Sequence, residues 1–375
     1  MALGLAVAAQ HAFADGDIIK SHGISTFGDL KYSSDFEHLD YVNPNAPKGG
    51  EISLWAPGRS GALASSLFES MLTSTADEIG AEYGLIAESL EYPEDKSWVI
   101  FNMRPEVTFS DGSPLTAEDA AFTFNLFLTE GLVSYRAVLS QVVEKVEVLD
   151  TYRIKYTFKE DVPKRDAIQM VGGLPIKSKK WFEDNEAGLD ESRLDPALGS
   201  APYVLDSYDI NQRVVYKRNP DYWGNDLPIN LGRNNFDRIR IEYFADSNAA
   251  FEGFKSGAYT FRNENSSKTW ATGETAAESV FNSMGIQSEA VDKLIDIAIE
   301  AESRDELHVA TRALDRVLRA EMFWVPQWFK DSHTVAYFDM YEYPDPLPPF
   351  ALGQLDFWWV NPEKEAALKA SGALK

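Results

Sequence analysis

Two β-rich runs, Tyr203-Val204-Leu205 and Arg213 to Lys217, flank the polar turn residues Asp209 to Gln212. That arrangement predicts an antiparallel hairpin. It closes on Arg218-Asn219-Pro220-Asp221-Tyr222-Trp223-Gly224. Pro lacks the amide proton a ladder needs, Asn and Asp favour a turn, and the Tyr-Trp pair brings apolar surface that gains by burial. Whatever the chain builds elsewhere has to give this hairpin a core to rest on.

The 375 residues suffice for two or three domains and a large core. With 59 acidic against 35 basic side chains the formal charge is −24. A phosphate backbone needs a basic face, and Lys and Arg are scattered here, so nucleic acid is excluded as a partner. The acidic excess serves solubility. Without cysteine there is no disulfide, no thiolate catalysis and no Cys-ligated metal. The five histidines, His11, His22, His38, His308 and His333, show no ligand spacing, so neither a metal nor another cofactor is expected. No G-x-S-x-G elbow, P-loop, G-x-G-x-x-G or H-E-x-x-H string occurs, and the expectation is a protein that is not an enzyme.

At the N-terminus an apolar run from Ala2 to Ala9 precedes Ala12-Phe13-Ala14 and Asp15. This reads as an h-region and a small-x-small cleavage site, although the basic n-region is missing. Residues 1–14 are therefore expected to be a residual signal peptide directing export to the periplasm. The run is too short to span a bilayer, so direct membrane insertion is not expected.

Further along, 62–71 shows a helical stripe (Leu63, Leu67, Phe68, Met71). Trp98 to Phe109 reads as a strand that ends in a turn at Ser110 to Pro114. Thr116 is placed to cap a helix, with Asp119 returning the bond and Ala120, Phe124 and Phe127 on its inner face. Val146 to Phe158 predicts a hairpin turning at Asp150-Thr151, with Tyr152, Ile154, Tyr156 and Phe158 on one side and Arg153, Lys155 and Thr157 on the other. The acidic stretch from Asp184 to Asp195 has its glycine misplaced for a calcium loop and reads as a solvated loop. Phe236 to Phe244 alternates as a strand, Asp246 to Ser256 reads as a capped helix stopped by Gly257, and 289–320 holds two amphipathic helices.

Several of these strings resemble family 5 of the extracellular solute-binding proteins, the peptide- and nickel-binding subunits of ABC importers. They are Gly-x-x-Pro-Tyr (Gly199 to Tyr203), the 218–224 string, and Phe109-x-Asp-Gly-x-Pro-Leu-Thr-Ala-Glu-Asp. Three further strings, at Phe27 to Tyr32, Asn43 to Gly50 and Phe261 to Gly273, are similar to the Yej-type oligopeptide-binding branch. The resemblance implies an α/β, periplasmic-binding-protein-like first lobe of the cluster C type, with a mixed sheet and flanking helices, plus a smaller β-rich subdomain. On that reading 15–61, 197–273 and 274–375 form the main discontinuous lobe and 62–196 the smaller α+β subdomain. The second lobe, which in the family follows the position of Gly273, is largely missing, and a shorter gap follows Gly58.

The implied function is a periplasmic substrate-binding subunit of an ABC importer for oligopeptides, impaired by loss of the closing lobe, because hinge closure needs two lobes. Its partners would be an oligopeptide and an inner-membrane ABC permease. A monomer is expected, with self-association through the uncovered cleft as the other outcome. The alternatives are a remnant lobe acting only as an interaction protein and, weakest, a hydrolase. For the surviving ligand wall the candidates are Arg262, Glu264, Asn265, Ser267 and Trp270, a charged, amide and aromatic cluster suited to peptide termini and side chains. Met71, Trp324 and Trp328 come second. For each aromatic the packing reading outweighs the ligand reading.

Overall fold

The computed structural model describes residues 18–57, 67–189, 193, 195, 198–263, 288–320 and 332–374. In chain order it builds β1 (Ile18–Ser21), β2 (Gly23–Ser25), β3 (Glu51–Pro57), β4 (Leu72–Ser74), β5 (Ala81–Gly84), β6 (Ala87–Pro93) and β7 (Trp98–Met103). Helices α1 (Ala117–Glu130) and α2 (Val133–Val142) lead into β8 (Val143–Asp150) and β9 (Arg153–Phe158), then α3 (Ala167–Gly172) and α4 (Lys179–Asp184). The expected hairpin is β10 (Tyr203–Asp209) and β11 (Arg213–Arg218); a short 3-10 turn, Pro228–Asn230, precedes β12 (Arg238–Phe244). Then come α5 (Ser247–Lys255), β13 (Phe261–Asn263), α6 (Glu289–Ile299), α7 (Arg304–Ala320), β14 (Val335–Tyr337), β15 (Tyr341–Glu342), β16 (Trp359–Val360) and α8 (Pro362–Ala370).

The first core lies under an antiparallel sheet in the order β1-β6-β7-β9-β8. Strand β9 follows its two-residue period: Ile154, Tyr156 and Phe158 are buried, while Arg153, Lys155 and Thr157 stay half-exposed. Phe101 and Phe124 meet the Tyr156 ring edge-on at 5.9 and 5.8 Å. Helix α1 begins where Thr116 predicts. The Asp119 carboxylate accepts from the Thr116 amide at 2.9 Å and its hydroxyl at 3.0 Å. Its other oxygen accepts from the Lys179 amide at 2.9 Å, tying α1 to α4.

A four-stranded mixed sheet, β10-β11-β12-β3, carries the second core. The hairpin is antiparallel from Tyr203↔Arg218 to Asp209↔Arg213, and Asn211 at its tip takes a left-handed φ of 61°. Strand β12 pairs antiparallel with β11 and parallel with β3, so Phe244 and Pro57 end side by side. The α/β class with a mixed sheet and flanking helices is thus as expected. Between the two cores lies the small sheet β2-β5-β4, in which Ile24 and Leu72 belong to the first core and Ala81 and Tyr83 to the second.

The closing string of the hairpin is where the cores meet. Trp223 packs against both, with its Nε1 donating to the Ser200 carbonyl at 3.0 Å. The Tyr222 hydroxyl donates to Glu69 Oε1 at 2.9 Å. At Gly199 a Cβ would sit 2.0 Å from the Leu67 carbonyl oxygen, so only glycine permits that approach.

One element departs from expectation. The helix read over 62–71 lies partly outside the described residues, and its described end, from Phe68 to Met71, is not helical. The backbone oxygens there serve distant partners: Leu67 accepts from Ser200 at 3.0 Å, Glu69 from Ile176 at 2.9 Å and Met71 from Leu85 at 2.9 Å. Those tertiary bonds override a local helical period. The aromatic string 323–329 lies outside the described residues. By contrast Phe357 and Trp358 are fully buried, Trp358 edge-on to Phe261 at 5.6 Å.

Candidate functional site

In sheets with parallel strands, ligands favour the crevice beyond the carboxyl ends. Here those ends are Pro57 of β3 and Phe244 of β12. Strand β13 is docked beside them. The Thr260 amide donates to the Ser53 carbonyl at 3.1 Å, the Ser53 and Thr260 hydroxyls are 2.9 Å apart, and the Tyr341 hydroxyl donates to the Glu51 carbonyl at 3.0 Å.

Arg262 is the hinge pin of this edge. Its guanidinium lies 5.0 Å from the Trp55 ring centroid and 5.5 Å from that of Phe251. One nitrogen donates to the Tyr259 hydroxyl at 2.8 Å and another to the Ser247 hydroxyl at 3.0 Å. With only 3% of its surface exposed, Arg262 holds α5, β3 and β13 in register and does not itself face a ligand. Cation–π contact of this kind strengthens as water is excluded.

Helix α5 reaches the same edge because its start is fixed: Asp246 accepts from the amides of Asn248 and Ala249, both at 2.8 Å. What the sequence reading missed is Trp55, half-buried at the end of β3, and Phe251, 46% exposed on α5. A tryptophan near the carboxyl end of a strand, in Trp55-Ala56-Pro57, was the available signal.

Among the other predicted residues, Met71 is fully enclosed in the first core and offers a ligand no surface. Glu264, Asn265, Ser267, Trp270, Trp324 and Trp328 lie outside the described residues. Of the expected ligand residues the described structure thus contains Arg262 and Met71, both buried. Among the described residues no group of three or more His, Asp or Glu side chains is placed to hold a metal ion.

Two ionisable groups lie beside Phe68. Lys177 Nζ sits 3.0 Å from the Phe68 ring centroid, and burial pushes its pKa down to about 7. Next to Phe68, burial raises the Glu69 carboxyl, with the Tyr222 hydrogen bond opposing the rise. A second polar cluster closes the opposite end of the sheet. Burial works to discharge Arg233, but its 2.5 Å pair with Asp356 outweighs this and holds the pKa above the ordinary arginine value. Lys48 donates to the Arg233 carbonyl and, at 3.0 Å, to Asn235, and burial lowers its pKa to about 8.

Residues 82–290 match the description "bacterial extracellular solute-binding proteins, family 5 Middle". Over 267 residues the chain is 40% identical to an uncharacterized protein, YejA, of Escherichia coli strain K12, covering 68% of this chain and 43% of that one. Over 268 residues it is 37% identical to a probable peptide-binding protein, also YejA, of Agrobacterium fabrum strain C58, covering 67% of this chain and 43% of the relative. Among solved structures, the oligopeptide-binding protein AppA of Bacillus subtilis, in complex with a nonapeptide, superposes with a TM-score of 0.48 at 18% identity, covering 58% of this chain and 45% of that one. The chain spans less than half the length of these relatives.

Proposed function

The chain belongs to family 5 of the bacterial extracellular solute-binding proteins, in its Yej-type branch, and from that premise we propose that it binds oligopeptides, without catalysis, at the carboxyl ends of β3 and β12, as the periplasmic substrate-binding subunit of an ABC importer. The observation that carries the site is the Arg262 anchor. It fixes the strand leading into 264–270 against Trp55, at the edge where parallel strands favour a ligand. The name of the Agrobacterium relative, a probable peptide-binding protein, supports the ligand class.

An extended peptide suits such an edge because main-chain hydrogen bonds supply affinity while an aromatic surface tolerates varied side chains. Binding by one wall is weak. Clamping buries a ligand from both sides, and half a cleft keeps the same ordering cost with less burial. Titration calorimetry with a mixed oligopeptide pool tests the reading. Saturable heat is expected, with affinity about tenfold poorer in Trp55→Ala. No heat from a sample that melts cooperatively overturns it. The second reading in that event is a lobe that acts only through protein contacts.

A further inference from the structure

A second cavity, of about 630 Å³, opens at the other end of the four-stranded sheet. The register Lys217↔Arg238 places the 219–237 link, including the Pro228–Asn230 turn that lines the cavity, at the amino ends of β12 and β3. From these amino ends the seven-residue strands β3 and β12 run roughly 20 Å to Pro57 and Phe244. The cavity's other walls are the β1–β2 corner, the link between β2 and β3 at Phe36, the end of β5, the start of β6 and the residue that follows β7. The size is within the range of small-molecule sites.

The lining is basic in a chain of net charge −24. Among the described residues the cations Lys20 and Arg104 share the lining with one acid, Glu88, which is exposed. These cations are thinly neutralised. Arg104 uses Nε on the Leu85 carbonyl at 3.0 Å, and the carboxylate paired with its terminal nitrogens, Glu106, is 4.0 Å away. Lys20 stands 4.0 Å from Glu91, whose oxygens already serve Asn102 at 3.0 Å and Arg153 at 3.7 Å. His22 is fixed by its 2.9 Å bond between Nε2 and the Tyr32 carbonyl. The same lining includes the apolar side chains of Phe36, Leu227 and Ile229.

We propose that this cavity is a second binding site, for a small monocarboxylate with an apolar body. The carboxylate pairs with the terminal nitrogens of Arg104, which Glu106 approaches only to 4.0 Å, and with Lys20, a charge-assisted arrangement that guanidinium geometry favours. The body lies against Phe36 and Leu227. At the rim Glu88 repels a second negative charge, so monocarboxylates are preferred over dicarboxylates.

Titration calorimetry of the full chain with 3-phenylpropanoate, its neutral amide and succinate tests this. The acid is expected to saturate with a dissociation constant of about 1 mM, and the amide to give no saturable heat. Lys20→Gln, at an exposed position, is expected to weaken the acid several-fold, and Arg104→Gln about tenfold. Glu88→Gln is expected to admit succinate. A saturating oligopeptide pool leaves the acid's titration unchanged if the two sites are separate. Equal binding of acid and amide, absence of saturation by the acid, or unchanged binding in Lys20→Gln overturns the proposal. The Lys20 variant keeps the test decisive if loss of the Leu85 contact unfolds Arg104→Gln.

Discussion

Glu82 and Lys177 are two buried charges whose titrations bend stability in opposite directions. Glu82 Oε2 is enclosed without a hydrogen-bond partner among the described residues, and burial raises its pKa from 4.5 to about 7. Between those values the native state holds more protons than the unfolded chain. The stability this residue permits is therefore complete below pH 4.5 and lost as pH rises through 7. Glu82→Gln should raise the melting temperature at pH 8, by an amount corresponding to about 1–2 kcal/mol, and change little at pH 4. Lys177 runs the other way. Its pKa falls from 10.5 to about 7, so the native state holds fewer protons in that window and stability climbs as pH rises through it. Lys177→Met should stabilise by about 2–4 kcal/mol at pH 6, less whatever the Phe68 contact supplies, and the gain should shrink toward pH 10. Melting curves across pH check both, and a gain independent of pH in either variant would refute the assigned cause.

At the scale of elements, the 218–224 string acts as a bracket between the cores. Trp223 touches both clusters and bonds Ser200, while Tyr222 reaches Glu69, 153 positions away in the chain. Trp223→Ala should cost about 2–4 kcal/mol in urea unfolding. Tyr208→Ala, at an exposed site on the same hairpin, should cost less than about 0.5 kcal/mol. Native-state hydrogen exchange in Trp223→Ala should show protection falling in β7 and β12 together; a drop confined to one core would contradict the bracket. The hairpin itself, α1 with its Thr116–Asp119 cap, the alternation of β9 and the Asp246 cap of α5 were legible because each is written in neighbouring residues. The non-helical run from Phe68 to Met71 was not, since the carbonyls of Leu67, Glu69 and Met71 take their partners from Ser200, Ile176 and Leu85. Arg262 was legible as important but not as enclosed: its cage is made by Trp55, Phe251 and Ser247, which no local pattern joins to it.

For the molecule as a whole, long-range repulsion competes with exposed apolar surface. The net charge of −24 keeps copies apart at low ionic strength. Against it stands the α6–α7 pair. Ile295, Ile297 and Ile299 are 40, 53 and 41% exposed on α6, and Val309 is 68% exposed on α7. Among the described residues its hydrogen bonds to the rest of the chain come from two arginines: Arg165 donates to the Ala298 carbonyl at 3.0 Å and the Ile299 carbonyl at 3.5 Å, and Arg304 to the Ile79 carbonyl at 3.2 Å. Salt decides between the two effects. The screening length is about 30 Å at 0.01 M and about 3 Å at 1 M, so repulsion reaches across the surface in the first case and hardly beyond contact in the second. Apolar attraction is not weakened by salt. Sedimentation velocity should therefore show a monomer at about 0.01 M salt at all concentrations, and a sedimentation coefficient rising with protein concentration at about 1 M. Ile295→Asn combined with Ile299→Asn, both at exposed positions, should abolish the rise while leaving the melting temperature within about 2 °C of the parent. If the double variant associates as the parent does, the sticky surface lies elsewhere, and the carboxyl edge of β3 and β12 becomes the surface to vary, because it is where the same chain is proposed to hold its peptide.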